Sequence, residues 1–117
     1  VIEDKIPILG ICLGAQLLTN GSEEGTEKGL GWIDAKTVKF NKSKLPLGLK
    51  IPNMGWLDVK FQIEAPIFKD LPPKSRFYFV HSYHIECNIE NDIAVTAEYG
   101  YEFTAGIIKD NIIFWVN

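Results

Sequence analysis

The sequence predicts an α/β fold: one domain over residues 1–117, built on a mixed β-sheet flanked by helices. Three observations predict it. Ile6 to Ile11 is a short continuous apolar run, the pattern of a strand buried on both faces of a parallel sheet. It passes through Gly10-Ile11-Cys12-Leu13-Gly14 straight into a compact apolar segment that reads as a helix. The rest of the chain is a series of short β-prone segments divided by turn residues, so the sheet mixes directions and few helices lie within these residues.

Taken in order, the helix after the first strand covers Leu13 to Thr19, and Asn20-Gly21-Ser22 stops it. Glu23 to Trp32, with Gly25, Gly29 and Gly31, reads as an irregular connector. Ala35 to Phe40 alternates as a strand, and Asn41 to Gly48 is polar and turn-rich. Pro52-Asn53-Met54-Gly55-Trp56 reads as a turn before a strand around Leu57 to Phe61. Ala65 to Lys69 fits one helical turn, and Pro72-Pro73 ends it. Arg76 to Val80 is a strand that delivers His81-Ser82-Tyr83-His84 at its end. Ile93 to Tyr99 is another strand. Phe103 to Lys109 and Ile112 to Val116 flank Asp110-Asn111, a two-residue hairpin turn.

Composition narrows the function. Hydrophobic content of 46% and aromatic content of 12% suit a packed core rather than a disordered chain. A net charge of −3 argues against nucleic acid or an anionic membrane surface as the main partner. No apolar run approaches the ~20 residues of a membrane-spanning helix. There is no signal-peptide pattern, and two cysteines do not make a disulfide framework, so a reducing cytoplasm is expected.

Gly-x-Cys-x-Gly between a buried strand and a helix describes a nucleophile elbow. The turn is tight, so side chains at Gly10 and Gly14 would crowd the crossing backbone. Such a turn holds its nucleophile in a strained conformation with the sulfur exposed. A buried structural Cys in a glycine-rich turn is the competing reading. Cys87 has no such setting and reads as packing.

Pro7 to Leu18, centred on Cys12, resembles the nucleophile motif of class I (triad-type) glutamine amidotransferases. Ser22-Glu23-Glu24-Gly25, Gly29-Leu30-Gly31-Trp32, Ile51 to Trp56 and Phe77 to Tyr83 occur in the order of one branch. That branch comprises the glutaminase subunits of imidazole glycerol phosphate synthase, the cyclase complex of histidine biosynthesis. The resemblance implies a flavodoxin-like three-layer fold. It implies that Cys12 attacks the side-chain amide of L-glutamine, forms a γ-glutamyl thioester and releases ammonia. The Leu13 backbone N–H would then stabilise the oxyanion. Gln16, one helical turn beyond Cys12, matches the glutamine-binding Gln, and Glu24 matches the residue that holds the substrate α-amino group. Glu23 beside it reads as solvated charge. Ser82 and Tyr83 match the segment that holds the α-carboxylate. Asn53, Met54, Gly55 and Trp56 match the region facing a (β/α)8-barrel cyclase, the expected heterodimer partner that receives the ammonia. No cofactor or metal is expected.

The chain departs from the family in several places. The family's base is a His in Phe-His-Pro-Glu, after the strand matching Ile112 to Val116, and the chain ends at Asn117. Trp115 and Asn117 replace the usual Gly and Gln, and Asn53 stands where the branch usually has His. The expectation is a partial domain without the N-terminal oxyanion region and the C-terminal His/Glu segment. His81 and His84 are weaker alternatives for the base, and strand alternation predicts that they face opposite ways. Besides the glutaminase, three readings stay open: a paralogue supplying ammonia for surface-sugar amidation, a non-catalytic partner-binding subunit, and another Cys-elbow hydrolase or peptidase.

Overall fold

The computed structural model describes residues 3–110 and 112–115, with side chains for residues 3–110. The strands are β1 (Ile8–Ile11), β2 (Ala35–Lys39), β3 (Asn53–Phe61), β4 (Ser75–His81), β5 (Tyr83–Cys87), β6 (Ile93–Tyr99), β7 (Tyr101–Lys109) and β8 (Ile112–Trp115). Among the described residues one α-helix occurs, α1 (Leu13–Gln16), together with three short 3-10 turns. The eight strands form a single mixed sheet in the order β1-β8-β7-β6-β3-β4, with β5 joined to both β2 and β7. β1 and β8 are parallel and the other strand pairs antiparallel, as an α/β sheet with few helices requires.

Side-chain alternation and hairpin closure explain most of the elements. In β3 and β4 every second residue points outward: Met54, Trp56 and Asp58 from one strand, Val80, Tyr78 and Arg76 opposite them. β7 and β8 pair antiparallel, with Lys109 opposite Ile112. Of the sequence-expected hairpin turn, Asn111 lies outside the described residues, as does the strand's last expected residue, Val116.

Two expectations change. Asn53 to Trp56 is not a turn but the first half of β3, because Asn53 to Val59 pair residue by residue with His81 back to Ser75. Long-range pairing overrides the local turn signal of Pro52 and Gly55. Tyr83 to Cys87 is a strand of its own, held between β2 and β7.

The core has two parts. One joins Ala15 and Leu18 to Ile33, Ala35, Ile85 and Ile107, seating the elbow helix on the sheet. The other is larger and aromatic, built on Phe40, Phe79 and Phe103 with Val59, Val95 and the small residues of β6 and β7.

Candidate active site

β1 carries the chain to Cys12, whose backbone adopts φ 57° and ψ −116°. A residue with a side chain avoids this region, at a cost on the order of 1–3 kcal/mol, so the elbow is strained as the motif predicts. Gly10 makes the strain sustainable. A Cβ there would stand 2.9 Å from the Gly14 carbonyl oxygen and 3.1 Å from the Ala15 nitrogen. The first turn of α1 therefore folds back directly over the strand. Gly14 is different: a Cβ there would meet nothing within 4 Å, so crowding explains only the first glycine of the motif. The Cys12 carbonyl accepts from the Gln16 N–H at 3.1 Å, and the thiol is exposed.

The helix is shorter than expected. After Gln16 the chain tightens into turns, with the Leu18 N–H donating to Ala15 O and the Thr19 N–H to Gln16 O. The buried Thr19 hydroxyl also donates toward the Gln16 carbonyl, at 2.7 Å, competing with helix continuation. Residues 29–33 then return along residues 17–20, through Gly29 N–H to Asn20 O, Leu30 N–H to Leu17 O and Gly31 N–H to Thr19 O. Gly29 permits this close approach, since a Cβ there would lie 1.9 Å from the Thr19 carbonyl oxygen. The glycine-rich connector is thus a bonded loop folded onto the elbow.

That loop and α1 enclose a cleft of ≈ 220 Å³ lined by Leu13, Gln16, Leu17, Ser22, Glu24 and Lys28, among others. Three residues singled out from the sequence therefore share one concavity: Leu13, Gln16 and Glu24. The two neighbouring glutamates separate here. The Glu23 carboxylate accepts from the Lys39 backbone N–H at 3.3 Å, along the edge of β2, while Glu24 lines the cleft. Ser22 shapes the turn by accepting from the Glu24 N–H at 3.1 Å. Lys28 was not anticipated; it brings a cation to the same cleft, and no local motif marks it.

Ser82 and Tyr83 stand one strand away. Gly21 to Glu23 bond to one edge of β2, through Thr37 N–H to Gly21 O and Glu23 N–H to Thr37 O. The other edge holds Tyr83, opposite Lys39, and Ser82, whose carbonyl accepts from the Phe40 N–H at 3.0 Å. Neither residue is among those lining the cleft.

The two histidines do not face opposite ways. Both are buried and both pack on Phe40, with ring centroids 5.0 Å (His81) and 4.8 Å (His84) from it. β4 ends at His81 and β5 begins at Tyr83, so the alternation restarts between them. Their ring nitrogens are committed. His81 contacts Asn53 and the Tyr83 carbonyl; His84 contacts the Tyr101 hydroxyl at 2.7 Å and the Ile85 carbonyl at 3.4 Å. Burial, first of all, pushes both imidazoles below their ordinary value and keeps them neutral. Neither is placed as a base for Cys12.

Of the segment matched to a partner surface, Met54 and Trp56 are exposed, at 63% and 64%. They adjoin Val80 and Tyr78 in register, and the Trp56 and Tyr78 rings meet edge to face at 5.6 Å. Asn53 turns inward and is 1% exposed, so it underlies this surface rather than forming it. Cys87 is half-buried and donates to the Ile89 carbonyl at 3.2 Å; burial pushes its thiol up. Among the described residues no group of three or more His, Cys, Asp and Glu could hold a metal ion, and no helix is long and apolar enough to cross a membrane.

Residues 1–114 match the model of the family described as glutamine amidotransferase class-I. An imidazole glycerol phosphate synthase subunit HisH 2 of Methanococcus maripaludis is 55% identical over 112 residues, covering 96% of this chain and 54% of that protein. The HisH subunit of Leptospira borgpetersenii is 45% identical, covering 96% and 55%. The chain thus spans about half the length of the curated relatives it matches. A glutamine amidotransferase of Thermotoga maritima shares the fold, with a TM-score of 0.69 at 21% identity, over 97% of this chain and 40% of that one. A strained cysteine elbow, in a chain matched to the family model almost from end to end, places this protein in the class-I glutamine amidotransferase family.

Proposed function

We propose that this chain carries the nucleophile and the glutamine pocket of a glutaminase that feeds ammonia to a cyclase subunit making imidazole glycerol phosphate. The Cys12 thiolate attacks the side-chain amide carbon of glutamine. The tetrahedral oxyanion accepts from the Leu13 N–H at the start of α1. The C–N bond breaks as the nitrogen takes up a proton, ammonia leaves, and a γ-glutamyl thioester remains. Water then adds to the thioester, glutamate departs and the thiol is restored. Gln16 hydrogen-bonds the substrate, Glu24 holds its α-ammonium group, and Ser82 and Tyr83 take its α-carboxylate.

The strained, exposed Cys12, outside the cleft lining but directly before Leu13, which lines the cleft with Gln16 and Glu24, carries this reading. The parallel register of β1 and β8 suits it: Ile11, directly before Cys12, lies opposite Trp115, so β8 runs beside the strand that delivers the elbow. The outward Met54 and Trp56, with Gly55 between them and Asn53 beneath, suit a barrel-shaped partner. The setting is the cytoplasm. The names of the HisH relatives support the choice of cyclase.

Alkylation by a glutamine-like chloroketone tests the reading. Cys12 is modified saturably, glutamine protects it, and Cys12→Ser abolishes the adduct. Cys87, half-buried with its thiol pushed up, stays unmodified. Equal labelling of both thiols, or no protection by glutamine, refutes the proposal.

A further inference from the structure

We infer that His81 is a positioning residue for the substrate-carboxylate segment: its imidazole pins the Ser82–Tyr83 link and ties it to Asn53, beneath the exposed Met54–Trp56 surface. The inference rests on the proposed function, in which Ser82 and Tyr83 hold the glutamine α-carboxylate. His81 is the last residue of β4, and the chain turns at Ser82 before β5 begins. Its Nδ1 lies 2.8 Å from the Tyr83 carbonyl oxygen. A carbonyl only accepts, so Nδ1 carries the hydrogen. Nε2 is then bare in the neutral ring, and it accepts from the Asn53 amide at 3.0 Å. Burial, the foremost influence on this imidazole, lowers its pKa and so favours the neutral ring; the Tyr83 carbonyl selects the tautomer.

Packing alone does not call for a histidine here. The ring sits among Phe40, Phe79 and Phe103, at centroid distances of 5.0, 5.5 and 5.1 Å, where a phenylalanine would serve as well. What the imidazole adds is a pair of directed hydrogen bonds, one to each side. One fixes the Tyr83 peptide within two residues of its own backbone. The other ends on Asn53, which is 1% exposed and is followed in β3 by the outward Met54. The link between β4 and β5 is thereby held to the strand that forms the exposed surface. A carboxylate site made from backbone groups at Ser82 and Tyr83 depends on that link keeping one orientation.

The two arms can be cut separately. The amide nitrogen of Asn, a donor, falls near the place of Nδ1, and the amide oxygen of Gln, an acceptor, can take the place of Nε2. In the full-length protein, saturable labelling of Cys12 by a glutamine-like chloroketone gives an apparent binding constant KI and a limiting rate. His81→Gln and His81→Phe should each raise KI by at least about tenfold, since both lose the directed hydrogen bond to the Tyr83 carbonyl, and leave the limiting rate within about twofold. His81→Asn should stay within about threefold of the parent, because it retains the donor to Tyr83. Iodoacetamide, which has no α-carboxylate, should label Cys12 at the parent rate in all three.

Equal shifts of KI in the Asn and Gln variants, or shifts that follow the melting temperature, overturn the inference and leave the ring a packing element. A fall in limiting rate with KI unchanged overturns it too, as does failure of both amide variants to fold. Parent protein that labels without saturation, or without protection by glutamine, refutes the glutaminase reading itself. The variant series then shows no KI to compare, and the inference falls with it.

Discussion

At Cys12 the backbone is strained while the side chains around it lie open: Leu9, Ile11, Leu13 and Leu17 are each more than half exposed. At His81 the backbone is an ordinary strand and the side chains are sealed, with Phe79 at 0%, Asn53 at 1% and Phe103 at 3% exposure. The elbow is shaped by contacts within five residues, above all Gly10 against Gly14. The aromatic cluster joins Phe40, Phe79, His81 and Phe103 from distant parts of the chain. Reactivity is thus placed where local geometry is dictated, and stability where the chain is brought together from afar. The largest losses of stability should come from the second region and the largest losses of reactivity from the first.

Truncating Phe79 probes the sealed region at its centre. Phe79→Ala removes a fully buried ring and should cost about 3–5 kcal/mol in denaturant unfolding. Leu13→Ala, at a residue 62% exposed, should cost under about 0.5 kcal/mol. Comparable costs would mean that Leu13 is covered by other parts of the protein.

The elbow breaks at a single glycine. Gly10→Ala puts a Cβ 2.9 Å from the Gly14 carbonyl, where backbone and not a flexible side chain has to give. It should cost about 1–3 kcal/mol and sharply slow alkylation of Cys12 by the glutamine-like reagent. Gly14→Ala meets nothing within 4 Å and lies in α1, so its stability should be unchanged or higher by up to about 1 kcal/mol. An equal loss of stability in the two variants would show that Gly14 is crowded after all.

This contrast also explains what the sequence could convey. The elbow, β1, β2, β6 and the β7–β8 hairpin follow from apolar runs, alternation and a two-residue turn, all of them local signals. The first half of β3 was hidden behind Pro52 and Gly55, because its strand character comes from pairing with His81 through Ser75. β5 was hidden because Ser82 breaks the alternation, and that same break turns His84 to the side of His81. Of the candidate site, Gln16 follows from helical spacing, whereas the cleft shared by Leu13, Gln16 and Glu24 depends on residues 29–33 folding back along residues 17–20. Gly29 permits that return through a clash it avoids with Thr19, a distant contact that no local pattern announces. Lys28 reaches the cleft for the same reason.

The smallest expected effect is a dependence on pH that belongs to the sealed region. Burial lowers both His81 and His84 from the ordinary value of 6.5; for His84, Glu86 and Glu23 pull the other way without reversing it. With the folded values depressed, the unfolded chain binds more protons below about 6.5, so stability rises with pH across that window. The contribution is fully present above about 6.5 and is lost as pH falls through the folded values. The melting temperature should therefore drop between pH 7.5 and pH 5. His84→Gln retains an acceptor for the Tyr101 hydroxyl, which in turn accepts from the Asn41 N–H at 3.0 Å. It should shrink that drop, since one of two buried imidazoles is gone. An undiminished drop would move the pH dependence away from His84, to His81 or to the carboxylates.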